Sequence, residues 1–523
     1  MKPFARSALL AVGMSVSAFT FAMGMAQAAT PKDTLVMGFA IDEIISLDPA
    51  DIYEFSSSEY MANAYDRLVM INPQKTSELK FAAAESYTVS DDGKTFQFKI
   101  RPGIKFHSGN AMTAEDAAFS LIRFVKINGN PAFIMNQFGL TKDNADKMIR
   151  VKDPMTLEIE LDKAYAPSFF LNCLSYTSVV VDKKLVMEHE KDGDMGNAWM
   201  KTNEAGSGPF KLKAFRANEA LVLDTDENYW DGAPKIKHVL IKNVTESATQ
   251  QLLLQKGDID VARNLLGDQL KAISGDKAVK FVSSPKATLW YMGLNVKNKE
   301  LGNPDVRQAM KYLVDYDGLA KTQFDGTGIK HQTFLPDGQL GADNETPFTF
   351  DVKKAKELLA KAGYPNGFDV TVNVANKSEF RALAASVQNS MAKAGVNLII
   401  QLADNKTTLT KYRASQHDIY LGQWGSDYQD PHSNADGYLN APLAKRNQWT
   451  SPEREAAVIA ARDEKDSTKR AQMYMDLQKQ ALEDSPYIIM FQQVETAAVR
   501  KNVEGFIIGP TFDLNLYRYT VKN

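Results

Sequence analysis

The feature that most constrains this chain is residues 351–427, where helical and strand periodicities alternate three times. DVKKAKELLAKAG (351–363) places Asp351 as an N-cap, apolar residues at Ala355, Leu358, Leu359 and Ala362, and Gly363 as the stop. FDVTVNV (368–374) alternates like a strand, with Val370, Val372 and Val374 on one face. Ser378 is expected to cap SEFRALAASVQNSMAKAG (378–395), and VNLIIQLA (396–403) reads as a buried strand. A helix over about 406–415 and the strand DIYLGQW (418–424) complete the series. Such alternation with short connections predicts a parallel sheet covered by helices, with ligands at the carboxyl ends of its strands. DIYLGQW ends immediately before SDYQDP (426–431), so that loop is a favoured place for a site.

The first half of the chain repeats the theme less regularly. TLVMGFA (34–40) and HVLIKNV (238–244) read as strands, and ESATQQLLLQKGD (246–258) as a helix. SEYMANAYDRLVMI (58–71) reads as a helix opened by Ser58. Between them, TFQFKIRPGIKF (95–106) alternates about Pro102-Gly103 and predicts a hairpin. TAEDAAFSLIRFVK (113–126) predicts a helix with Thr113 as N-cap and Asp116 closing a capping box, and TLEIELDK (156–163) a strand. Residues 76–205 therefore read as an α+β insertion into a first α/β lobe. Two lobes linked where the chain crosses between them place a cleft at their interface, a preferred ligand site that closes by hinge motion.

The amino terminus sets the expected compartment. Lys2 and Arg6 precede an apolar stretch and the A-x-A pattern Ala26-Gln27-Ala28, a secretory signal peptide over residues 1–28 cleaved before Ala29. No Cys lies near that position, so a lipid anchor is not expected, and no later segment is apolar enough to span a membrane. Without Lys2 and Arg6 the formal charge of −3 becomes −5, which disfavours nucleic acid as a partner. The single Cys173 allows no intramolecular disulfide, and a chain this long buries a core without one.

Several ordered blocks resemble one family. AESYTVSDDGKTFQFKIRPGIKFHSGNAMTAEDAAFSL (84–121), SLDPA (46–50), GSGPFKL (206–212), KGDIDVA (256–262), the segment 294–319 and WGSDYQDP (424–431) are similar to the extracellular solute-binding proteins of family 5, the peptide/nickel type. The resemblance implies an α/β, two-lobed periplasmic binding protein of type II, in the large cluster. Its expected division is lobe I over 29–75 and 206–290, the insertion over 76–205, lobe II over 291–490 and a return to lobe I over 491–523. It also implies a monomeric periplasmic component of an ABC importer. Such a component hands its solute to permease subunits, while separate subunits hydrolyse ATP and the binding component carries no cofactor.

The family's extended peptide ligands need main-chain hydrogen bonds, for which the backbone of Gly422, Gln423 and Trp424 is the expected partner on lobe II. Asp427 falls where the peptide binders place a carboxylate for the ligand's ammonium group; the alternative is that it caps its own loop. Trp424 is either a wall of the site or core, Tyr428 a weaker neighbour, and Asp430 a turn former before Pro431. On lobe I, Glu43 and Ile44 align loosely with residues that approach the ligand. Arg307 reads as a structural ion-pair partner, and the lone His107 as no metal ligand.

Two other functions are weighed against a peptide binder. A secreted hydrolase using Asp427 and Asp430 would need carboxylates flanking a bond, which one tight loop rarely provides, and no G-x-S-x-G, H-E-x-x-H or P-loop motif is present. The same fold could instead hold an opine, an oligosaccharide, glutathione, haem or a metal chelate. The six scattered His and five Trp favour neither direct metal binding nor a sugar platform.

Overall fold

The computed structural model describes residues 30–72 and 75–523, so the expected signal peptide lies outside the described residues. No helix among the described residues is long and apolar enough to cross a membrane. One mixed sheet of eleven strands runs through both lobes. Its centre is a pair of long antiparallel strands, Val279–Leu294 and Tyr487–Arg500, which cross from one lobe to the other. Their ladder breaks between Pro285 and Leu289, so a register shift lies where the chain changes lobe.

Lobe II grows from one edge of that pair. Ile419–Gly425 pairs with Val279–Leu294, and Phe368–Ala375 and Val396–Ala403 follow outward. The last three are mutually parallel as expected, but Ile419–Gly425 joins the crossing strand antiparallel, so the sheet is mixed. The alternation of Phe368–Ala375 is real, with Val370, Val372 and Val374 all buried. Val396–Ala403 is not a buried strand. It forms the sheet edge, and Ile399 and Leu402 remain 46% and 51% exposed. Helices Val352–Lys361, Ser378–Ala392 and Asn405–Arg413 fill the connections. Asp351 caps the first through the Lys354 N–H, whereas the second is capped at Lys377, one residue before Ser378.

On the other side, Thr34–Phe39, His238–Asn243, Ala220–Thr225 and Phe210–Arg216 continue the sheet as lobe I. The first helix spans Phe55–Ala64, with Ser58 inside it, and Val69–Asn72 is a strand, so the 58–71 helix is shorter and earlier than its pattern suggests. The insertion contributes a four-stranded sheet ordered Ala84–Val89, Thr95–Ile100, Thr156–Glu160, Ile149–Asp153. The 95–106 hairpin does not form. Residues 104–106 make no strand, because Thr95–Ile100 finds both partners elsewhere, in Ala84–Val89 and Thr156–Glu160. The Thr113 capping box does form, its N–H and hydroxyl donating to the Asp116 carboxylate at 2.9 and 2.8 Å. Phe96, Phe98 and Phe170 of the insertion share one continuous apolar core with Leu35 and Met37 of the lobe I sheet.

Arg307 and His107 are both held within the fold, but Arg307 not by the ion pair expected of it. Buried Arg307 donates to the carbonyls of Leu301, Gly302 and Asp484, rather than to a carboxylate. His107 bridges Glu204 and the Gly208 carbonyl. Among the described residues no cluster of His, Cys, Asp or Glu could hold a metal ion.

Candidate functional site

A cavity of about 1490 Å³, including solvent at its mouth, lies between the lobes. The crossing strands floor it with Trp290, Tyr291 and the segment 493–496; Phe39, Glu43, Tyr53 and Glu54 face it from lobe I, and Trp424, Asp427, Arg413 and Arg446 from lobe II. Its formally charged lining comprises four cations and five carboxylates, a balance suited to a zwitterion rather than a polyanion.

The strand Ile419–Gly425 delivers the lobe II wall. Its ladder with Phe368–Ala375 stops at Val374–Leu421, while its ladder with Val279–Leu294 continues to Gly425–Thr288. One edge of residues 422–425 is therefore left without a strand partner among the described residues. The chain then turns into the helix Pro431–Leu439. Asp430 caps that helix by accepting from the His432 N–H at 2.9 Å, and Arg470 grips the same carboxylate at 2.7 and 3.0 Å. The loop between them is held by other groups: the Asp427 N–H donates to Ser433 Oγ at 2.8 Å, and the Ser426 hydroxyl donates to Asn434 Oδ1 at 2.6 Å.

The Asp427 carboxylate is thus spared from loop capping. It accepts no backbone hydrogen bond among the described residues, and its Oδ2 is buried without a partner. Burial pushes its pKa up to about 8, against the opposing pull of Tyr53 and the Arg446 guanidinium. The Trp424 indole Nε1 is likewise buried and unpartnered, and the Tyr53 hydroxyl, the group that pulls on the Asp427 carboxyl, is buried with no partner within 3.5 Å. Tyr53 reaches across the cleft, its ring edge-on to Trp424 at 6.1 Å and to Phe133 at 6.3 Å.

Of the residues singled out from the sequence, Asp427, Trp424, Gln423 and Glu43 line the cavity together. Gly422, Tyr428 and Ile44 do not line it. A Cβ on Gly422 would fall 2.0 Å from the Tyr420 ring, so this glycine makes room for Tyr420 to stack on Tyr412 at 3.9 Å. Tyr428 is buried beside Phe169, and Ile44 packs against the lobe I core.

The lobes also touch directly. Glu43 accepts from the Ser56 N–H and hydroxyl at 3.1 and 3.2 Å, and its other oxygen faces Lys377 and Asn405 of lobe II, both at 3.5 Å. Glu54 meets Arg413 at 3.3 Å, and Glu246 meets Ser378 and Arg381 at 2.9 and 3.1 Å. Although burial opposes charge on Lys377, Glu43 and Asp42 hold its ammonium above the usual lysine range. Glu379 is an unforeseen member of the wall; burial raises its pKa, and its Oε2 has no partner. Tyr53, Arg413 and Arg446 were also not singled out by the sequence. Tyr53 lies three residues past the SLDPA block, whereas Arg446 stands in the short helix Leu443–Arg446 with no motif around it.

Two α/β lobes joined by crossing strands around a cavity that opens to solvent define a two-lobed solute-binding protein. The fold is shared with the murein tripeptide binding protein MppA of Escherichia coli, at a TM-score of 0.83 and 22% identity over 94% of this chain and 99% of that one. The chain belongs to the bacterial extracellular solute-binding proteins, family 5, whose middle-region model matches residues 78–443. Among curated relatives, it is 28% identical to the probable D,D-dipeptide-binding periplasmic protein DdpA of Escherichia coli K12, over 94% of both chains. It is 26% identical to the glutathione-binding protein GsiB of Salmonella paratyphi A, over 96% of both.

Proposed function

We propose that this protein is the periplasmic binding component of an ABC importer and captures a short peptide by its free amino terminus. The carrying observation is the Asp427 carboxylate, unpartnered at Oδ2 in an interlobe cavity, at the end of a strand whose edge is open beyond Leu421. An ammonium leaving water needs an opposite charge and good hydrogen bonds; with its pKa raised to about 8 in the ligand-free protein, the Asp427 carboxyl supplies them by giving up its proton as the cation arrives. The open edge at residues 423–425, which lines the cavity, gives peptide N–H and C=O groups a main-chain partner without regard to side chains. Relatives named for a D,D-dipeptide and a murein tripeptide support a ligand of this class. Export rests on the amino-terminal pattern, and transfer to membrane permease subunits on the family.

The test compares a peptide with its N-acetylated form by calorimetry. The free amine should bind wild type tightly and lose about 2–5 kcal/mol in Asp427→Asn, while the acetylated form binds both proteins weakly and alike. If Asp427→Asn binds the free amine as well as wild type does, Asp427 is not the anchor. Native mass spectrometry of unrefolded protein reads the co-purified ligand directly, and a non-peptide mass there would replace peptide by another solute.

A further inference from the structure

The cavity has a second corner of unmatched polarity, away from Asp427. Gln323 Oε1, Glu379 Oε2 and Gln493 Oε1 belong to its lining, each buried without a donor among the described residues. They come from three elements: the turn after the helix Tyr316–Lys321, the first turn of Ser378–Ala392, and the crossing strand Tyr487–Arg500. The fold ties the three together. The Gln323 side-chain amide donates to the Glu379 carbonyl at 2.7 Å, and the Thr327 hydroxyl donates to the Gln323 carbonyl at 3.1 Å. The Thr327 carbonyl in turn accepts from the Val494 N–H at 2.9 Å, next to Gln493. Beside them Trp290, only 5% exposed, packs its ring on Phe380 at 4.9 Å and Phe324 at 5.5 Å.

Formal charge at this corner is negative. Lys377 faces Glu43 at 3.5 Å and Asp42 at 3.8 Å, and Glu379 further supports its charge, so one ammonium meets three carboxylates. Arg381, the next cation along the helix, is taken by Glu246 at 3.1 Å. Three acceptors and an excess of carboxylate ask for one positive group with several N–H donors. A guanidinium carries five in one plane, and its faces suit the rings of Trp290 and Phe380. We propose that this corner is a specificity site for an arginine side chain of the bound peptide, with Glu379 as its counter-charge and the Gln323 and Gln493 side-chain oxygens as further acceptors. This rests on the reading of the ligand as a peptide, but not on Asp427 as its anchor. The α-ammonium does not serve both corners: the strands leading to Asp427 and carrying Gln493 flank Val279–Leu294 on opposite sides, two strand spacings or about 10 Å apart. The whole lining agrees, since its four cations and five carboxylates sum to −1, and a peptide with free ends and one Arg sums to +1. Burial raises the Glu379 pKa, and a guanidinium that is always charged draws that carboxyl back to its anion.

Three isomers of one composition and charge locate the effect: Arg-Ala-Ala, Ala-Arg-Ala and Ala-Ala-Arg, titrated with Ala-Ala-Ala into wild type and Glu379→Gln, whose melting temperature reports that it is folded. One Arg isomer should bind wild type at least about tenfold more tightly than Ala-Ala-Ala and than the other two. Glu379→Gln should bring its ratio to Ala-Ala-Ala below about threefold. Citrulline in place of that Arg keeps the shape, loses the charge, and should do the same on wild type, so the result does not depend on the variant. A gain shared by all three isomers, a gain that survives Glu379→Gln or citrulline, or no gain at all overturns the arginine site. With Ala-Ala-Ala still bound, the peptide reading then stands without it. If none of the four peptides binds wild type, the peptide reading falls and takes this inference with it.

Discussion

Two groups of buried charge face the same cavity and are built on opposite rules. At the hinge, Arg263 pairs with Glu59 and Glu495, and Lys286 pairs with Glu495 at 2.8 Å and donates to Asn515 at 2.8 Å. Asn515 in turn donates to Glu59 at 2.9 Å, and the Gly509 carbonyl accepts a further bond from Lys286 at 2.6 Å. Each charge has an opposite partner, and together they tie the two crossing strands to the 509–517 segment. At the far wall Asp427 and Trp424 each leave a buried polar atom unpaired, as does Tyr53 facing them from lobe I. Satisfied buried charge holds a structure in one arrangement, whereas unsatisfied buried polarity is a cost that a ligand removes.

Breaking the hinge group should have the largest effect. Glu495→Gln leaves Arg263 and Lys286 with one carboxylate between them, and should cost about 3–5 kcal/mol of unfolding free energy in urea titrations. Burial acts to raise the Glu495 pKa, but Arg263 and Lys286 hold it below the usual glutamate range. A depressed folded pKa adds stability above the unfolded value, lost as pH falls through the folded one. An unchanged urea midpoint would show that the paired cluster is not what holds the crossing strands.

The same test on the far wall should give the opposite sign. Without ligand, Asp427→Asn should be more stable than wild type by about 1–3 kcal/mol at pH 8. Because the folded pKa of Asp427 is raised to about 8 from an ordinary 3.8, the native state binds more protons than the unfolded state between those values. Wild-type stability therefore falls relative to the variant as pH rises from about 4 to about 8, and the gap closes below that window. Melting temperatures across pH read this directly. A gap independent of pH would mean that the carboxylate is paired in the ligand-free protein and that the two regions do not differ in kind.

The contrast also explains what the sequence could show. Local periodicity made the 351–425 elements legible, because each buries one face against its neighbours: Val370, Val372 and Val374 declare a strand by themselves. Pairing across the hinge was not legible. Leu289 meets Gln492 in the ladder, and no local pattern marks a partner two hundred residues away, so the mixed character of the sheet was missed. The same limit hid the fate of 95–106, whose turn is local but whose strand partners are not. Asp427 was found through family likeness and Arg446 not at all, since a lone Arg in a four-residue helix looks like any solvated charge until Tyr412 and Trp424 are placed beneath it.

Glu43 falls between the two regions, and its variant should have the smallest effect. One oxygen is satisfied within lobe I by Ser56; the other reaches Lys377 and Asn405 only at 3.5 Å, across the cleft. Contacts as long as these, with Asp42 at 3.8 Å left to Lys377 as a second counter-charge, contribute about 0.2–1 kcal/mol, and salt weakens them through the open mouth of the cleft. They exist only while the lobes are together, so they act on the closing equilibrium rather than on the fold. Glu43→Gln should therefore lower ligand affinity by about twofold to fivefold at low ionic strength, with little change in melting temperature, and the difference from wild type should shrink in molar salt. Calorimetry at two salt concentrations checks it. A loss of about a hundredfold, insensitive to salt, would place Glu43 in direct contact with the ligand and move it from the paired side of the comparison to the side of Asp427.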